Sequence, residues 1–396
     1  MEPAACKPRP WILPVIVFAQ FAGTSLWFAG NSVLPELLRN PGLRGASLGG
    51  VVSAVQLGFI VGTLVFALLS LADRVPPARL FLLSALAGSL TNLGLLLPEL
   101  SAAGLLAMRF GTGLCLAGIY PVGMKIAADY YAGGLGKALG FLVGALVLGT
   151  ALPHGLRWLG AGLPWPAVVL ATSGLAAGGG LLLWLLVPNG PFRRPGARLA
   201  LSAVRGVWQH PPFRAAALGY FGHMWELYTF WAFVPLLLTI YRQLHPELRE
   251  LPAGLAFGAI ASGALACVGS GYLAQRWGSL RPARLALWVS GAGCVLSPLL
   301  LQLPLPLFGA GLLVWGMAVV ADSPQFSALV AQQAPAAIKG TALTLVTCLG
   351  FALTIVSLQA FGALQSLVDG RYLFLLLAPG PALGLWATRQ ARSQQF

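Results

Sequence analysis

Residues 215–240 read AAALGYFGHMWELYTFWAFVPLLLTI. No Lys, Arg or Asp occurs in this run, and its two charge-bearing residues are His223 and Glu226. A stretch this long and apolar is read as a membrane-crossing helix, because about 20 residues span the hydrocarbon core. A carboxylate at that depth costs about 3 kcal/mol on insertion scales unless it is paired, hydrated or protonated. Such a group is kept where something must be bound or carried. Asp322 poses the same question within 314–329, and Arg109 poses it within 102–122.

The rest of the chain agrees with that reading. Of 396 residues, 58% are hydrophobic and 9% charged, and only ten are Asp or Glu. The mean hydropathy is +0.82. These values exclude a soluble globular domain and predict an all-α polytopic membrane protein. The 50 Gly and 29 Pro would break soluble helices, but membrane helices accommodate them and use small residues for close backbone approach. The five Cys are odd in number, and all but Cys6 fall in apolar segments, so no disulfide framework is expected. No small-residue cleavage site follows the basic start, so the first apolar stretch is expected to remain as span one.

Apolar runs separated by Pro, Gly and charge give twelve spans: 11–35, 47–70, 80–98, 102–127, 136–157, 164–187, 212–241, 252–274, 284–303, 305–329, 340–363 and 371–388. With both termini in the cytoplasm, seventeen Lys and Arg fall on the cytoplasmic side and six outside, and Arg109 stays within the membrane. That bias accounts for the net charge of +14 and leaves no reason to invoke nucleic acid. The longest hydrophilic segment predicts a cytoplasmic linker at 188–211, whose 199–208 stretch could lie amphipathically on the inner leaflet.

The two halves resemble each other at one offset. Gly113 and Pro121 in span four match Gly316 and Pro324 in span ten, 203 residues on. Asp73-Arg74 after span two matches Gln275-Arg276 after span eight at 202, and Pro35 matches Pro235 at 200, each Pro expected to end its span. Two six-helix bundles follow, at 1–187 and 212–396. Parallel repeats with a site between them are a transporter architecture.

Three motifs carry a resemblance. Leu69-Ser-Leu-Ala-Asp73-Arg74, with Arg79, resembles the loop 2–3 motif of the major facilitator superfamily, departing from it at Leu69 and Pro76. Gly271-Tyr-Leu-Ala-Gln275-Arg276-Trp-Gly278 is its second-half copy, with Gln for Asp. Arg109-Phe-Gly-Thr-Gly113 is similar to the family's motif B, which carries an intramembrane Arg. The resemblance implies the two-bundle fold of that superfamily and marks Asp73, Arg74, Arg79 and Arg276 as gating charges. Span five lacks the Gly-Pro pair of the family's drug/proton antiporters.

Glu226, His223, Asp322 and Arg109 are the candidates for proton or solute binding. Each has a bland counterpart: a neutral hydrogen-bonded carboxyl, a satisfied core histidine, a proline kink beside Ser323-Pro324, and a structural ion pair. His223 precedes Glu226 by three residues, so the two share a helix face and are expected to couple. His-x-x-Glu has no second His/Glu pair to complete a metal site, and no metal is expected. Gln20, Thr24, Trp27 and Asn31 recur at spacings of four, three and four, which makes one polar face of span one. With Gln56, Tyr120, Trp225, Tyr228 and Trp231 they are expected to line a cavity.

The expected function is secondary active transport of a small solute by alternating access, coupled to protons, as a symporter or antiporter. It is expected in the plasma or inner membrane, as a monomer whose partners are solute, protons and lipid. Two alternatives stand: a non-transporting receptor or scaffold on the same fold, and proton-driven efflux of drug-like compounds. No nucleotide-binding motif supplies ATP drive, no cofactor is implied, and no nucleophile–base set points to an enzyme. The mixed charges suit organic anions, zwitterions or a drug-like cation.

Overall fold

The structure is a computed structural model that describes residues 9–43, 45–131, 135–160, 163–193, 206–248, 251–252, 254–335 and 338–389. The spans are numbered here in chain order. In the first half they are α1 (Ile12–Thr24, continued by Ala29–Ser32 and Leu34–Leu37), α2 (Leu48–Leu68) and α3 (Pro77–Leu93). These are followed by α4 (Ala102–Leu116 and Tyr120–Tyr130), α5 (Leu135–Leu159) and α6 (Trp165–Leu186). In the second half they are α7 (Pro211–Leu244), α8 (Leu255–Trp277) and α9 (Leu280–Leu300). The last three are α10 (Leu305–Ala321 and Ser323–Gln333), α11 (Lys339–Leu364) and α12 (Gly370–Leu373, Phe374–Leu377 and Pro379–Arg389). Ten of the described helices are long and apolar enough to cross a membrane. The broken α1 and α12 bring the spans among the described residues to twelve. Leu90 is 69% exposed and Leu265 73%, an apolar exterior that only lipid covers without penalty.

The contacts repeat between the halves. Helix α1 packs on α5 and α6, as α7 packs on α11 and α12. Helix α2 packs on α4, as α8 packs on α10. Glycine explains the last match. A Cβ on Gly113 would land on the Val55 carbonyl, and one on Gly316 would land on the Ala259 carbonyl. Each glycine lets two backbones touch, which is the packing currency of membrane helices. The halves meet along α2 with α11 and α5 with α8.

Proline breaks α4 and α10 at matching places. Pro121 and Pro324 each sit in the first turn of a second helical segment. In α10, Pro324 cannot bond the carbonyl one turn back, at Val320, and the Cys267 thiol donates to that oxygen at 3.4 Å. Pro235 does not end span seven. Helix α7 runs through it to Leu244, since a membrane helix tolerates one missing backbone bond where neighbours pack around it. The loop after α2 replaces the family's central glycine by Pro76, and the chain instead turns at Ser70 with φ of 50°. Its second-half copy keeps Gly278, with φ of 72°. The expected linker and its amphipathic stretch fall largely on residues 194–205, which lie outside the described residues.

Candidate functional site

The first polar centre lies inside the first half. Helix α1 unwinds over 25–28 and releases backbone carbonyls into an apolar interior. Arg109 of α4, fully buried, answers them. Its Nη2 donates to the carbonyls of Trp27 at 2.5 Å and Leu26 at 3.2 Å, and its Nη1 donates to Leu26 and to Asn92 Oδ1, both at 3.3 Å. Asn92 in turn donates to Ser173 Oγ at 3.0 Å and Thr172 Oγ1 at 3.2 Å. The guanidinium is thus held by carbonyl and amide oxygens, and no carboxylate pairs with it among the described residues. These charge-assisted bonds fasten α1 to α3, α4 and α6.

The second centre lies inside the other half. One face of α7 packs on α10 running the opposite way, so that Gly219 meets Phe326, His223 meets Asp322, and Phe230 meets Trp315. His223 Nδ1 lies 2.7 Å from Asp322 Oδ1, with both side chains almost wholly buried. The two atoms touch without the alignment of a hydrogen bond. Glu226, one turn along, accepts from Trp315 Nε1 at 3.1 Å and Cys294 Sγ at 3.2 Å. The structure therefore pairs His223 across to α10 rather than along α7 to Glu226.

Between the halves lies an aromatic seam. Trp27 stacks on Tyr228 and Phe351, with ring centroids 5.5 Å and 5.7 Å away, and tilts against Phe59 at 5.1 Å. Phe28 meets Trp231 edge-on at 6.3 Å. Gln56 shares its face of α2 with Gly49, Ser53 and Ile60. That face packs on α11 through Gln359 Nε2, which donates to Ser53 Oγ at 2.9 Å. The side-chain amides of Gln20, Asn31 and Gln56 and the indole N–H groups of Trp27 and Trp231 are buried without a hydrogen-bond partner. Gln20 lies against Gly123 of α4. Thr24 is spent on its own helix, donating to the Gln20 carbonyl at 2.8 Å. Trp225 turns away from the seam, donating to the Leu376 carbonyl at 2.9 Å. Tyr120 is half-buried where the second segment of α4 begins.

At the face that holds the termini, Asp73 pairs with Lys125 of α4. Arg193 donates to the carbonyls of Asp73 at 3.0 Å and Val75 at 3.4 Å. Arg74, Arg79 and Arg276 are exposed. At the opposite face Arg157 pairs with Glu36, and Trp158 stacks on Phe257 of α8 across the halves at 6.0 Å. Sequence reading missed Asn92, Trp315, Cys294 and Lys125. Trp315 was within reach of it, being seven residues before Asp322 on one helix face, as was Asn92, a lone amide in an apolar span. Cys294 gave no signal.

Two bundles of six helices, each with an internal polar centre and joined by an aromatic seam, define a polytopic integral membrane protein of transporter architecture. The chain belongs to the Major Facilitator Superfamily, whose family model matches residues 16–358. Among curated proteins it is 30% identical over 193 residues to the YgaY transporters, described as uncharacterized, of Escherichia coli strain K12 and Escherichia coli O157:H7. The match covers 46% of this chain and 47% of theirs, so the chain spans about half the length of the curated relatives it matches. Among solved structures, the human organic anion transporter MFSD10 (TETRAN) superposes with a TM-score of 0.74 at 18% identity, covering 96% of this chain and 99% of that one. That likeness is one of fold.

Proposed function

We propose that the protein is a secondary active transporter that moves a small solute by alternating access between bundles 1–187 and 212–396, coupled to protons. The observation that carries this reading is the buried set of His223, Asp322 and Glu226, placed where α7 crosses the break in α10. Protonation drives a conformational exchange only if it stabilises one facing state over the other. Three titratable groups beside a helix break meet that need, because movement of either α10 segment changes their partners and their access to water. The basic-loop bias puts both termini in the cytoplasm of a cell bounded by a plasma or inner membrane. On this reading the transporting unit is a single copy.

The test has two steps. A thermal-shift screen on purified protein identifies a solute, since a ligand of the folded state raises its apparent stability. Solute-driven pH change is then measured in proteoliposomes for the wild type and Glu226→Gln. Gln keeps the size and the hydrogen bond from Trp315 but carries no proton. The expected result is solute exchange without proton movement. A variant that moves protons with its solute at the wild-type ratio removes Glu226 from the coupling path.

A further inference from the structure

The charged residues of the membrane interior have their nearest polar partners within their own half. Arg109 is spent on the carbonyls of α1 and on Asn92. His223 and Asp322 lie against each other, and Glu226 accepts from Trp315 and Cys294. What meets between the bundles is a set of rings drawn from both halves: Trp27, Phe28, Phe59, Tyr228, Trp231 and Phe351. Three neutral polar groups belong to this set or stand beside it without partners. They are the indole N–H of Trp27, the indole N–H of Trp231 and the amide of Gln56, each on a side chain no more than 1% exposed.

Resting on the transport reading above, we infer that the solute recognised at this seam is a neutral, planar, aromatic or heteroaromatic molecule bearing hydrogen-bond acceptors. The rings supply flat faces for offset stacking. Two indole donors ask for an acceptor such as a carbonyl or a ring nitrogen, and the Gln56 amide both donates and accepts. A buried polar group left unpaired is costly, so a solute that satisfies these groups is selected over an apolar one of equal shape. An anion gains nothing from the negative faces of the rings and finds no free cation there among the described residues. A cation is attracted by ring faces, but no described carboxylate is turned to the seam to balance it.

The experiment uses full-length protein in nanodiscs and a matched panel of planar heteroaromatics. Each scaffold is presented as a neutral amide, as its carboxylate and as its N-methylated cation. Binding is read by thermal shift and by tryptophan fluorescence, for wild type, Trp27→Phe, Trp231→Phe and Gln56→Leu. Each variant is first checked for an unchanged elution profile without ligand, and three variants guard against the loss of any one to misfolding. The expected result is binding confined to the neutral members, weakened roughly three- to tenfold by loss of an indole N–H or of the amide, the worth of one neutral hydrogen bond. The inference is overturned if carboxylates or cations bind at least as tightly, if no neutral member binds, or if the variants leave neutral binding unchanged. Counterflow in proteoliposomes separates the two proposals. A neutral ligand that binds with this sensitivity but is never translocated sinks the transport reading alone. Flux of a charged solute sinks the inference and leaves transport standing.

Discussion

Arg109 and Gly30 form a pair whose coupling is measurable. Arg109 donates to three acceptors, the carbonyls of Leu26 and Trp27 and the side-chain oxygen of Asn92. Interhelical hydrogen bonds in a membrane protein have measured about 0.6 kcal/mol on average and up to about 1.7. Arg109→Ala is then expected to cost about 2–5 kcal/mol. Arg109→Lys keeps the charge but not the planar fork, and recovers only part of this. Gly30 supplies the control. A Cβ there would lie 2.9 Å from Arg109 Nε and 3.0 Å from its Cδ, and the pinned guanidinium cannot retreat. Gly30→Ala is expected to cost about 1–3 kcal/mol as overpacking. In the Arg109→Ala background the obstacle is gone, and the same change becomes neutral or gains up to about 1 kcal/mol of helix propensity. Unfolding in mixed micelles, run as a double-mutant cycle, reads the difference. Equal costs of Gly30→Ala in both backgrounds, to within about 0.5 kcal/mol, would show that Arg109 does not clamp the unwound segment.

Other substitutions test the remaining contacts. Gly113→Leu and Gly316→Leu should each abolish folded yield, since each places a side chain on a neighbouring carbonyl; a tolerated leucine at either position would break the match between the halves. His223→Gln should lower the melting temperature more than His223→Gln combined with Asp322→Asn, because a buried polar group left without its partner costs about 1–3 kcal/mol; the opposite order would dissolve the pair. Asp73→Asn removes a partly exposed ion pair worth about 1 kcal/mol, and on the proposed reading should slow transport more than it lowers yield. Unchanged flux in a well-folded variant would leave Asp73 an ordinary loop charge.

The spans were legible because run length is a strong signal: 47–70 is found as Leu48–Leu68, and 212–241 as Pro211–Leu244. The repeat was legible in Gly113 and Gly316, whose spacing reflects one shared packing contact. Partners were less so. The three-residue spacing of His223 and Glu226 puts them on one face, but which group each meets is decided by α9 and α10, far along the chain. The role of Arg109 was hidden for another reason. Its acceptors are backbone carbonyls, freed by a break at Ser25-Leu26-Trp27-Phe28 that contains neither Gly nor Pro.

The two polar centres occupy matching places with opposite charge. Leu26, whose carbonyl takes Arg109, and Glu226 stand 200 residues apart, as do Pro35 and Pro235. Thr91, the neighbour of Asn92 on α3, and Cys294 on α9 stand 203 apart. In the first half the helix is broken and a fixed cation binds its backbone, so removing that charge releases the chain itself. In the second half α7 is continuous past Glu226, its one missing backbone bond lying further on at Pro235, and among the described residues the Glu226 carboxyl is held by side chains of α9 and α10. Its protonation can therefore change without unravelling α7. On the proposed reading this assigns the halves different work. The Arg109 bundle is the rigid member, and the Glu226 bundle is the one whose packing responds to a proton.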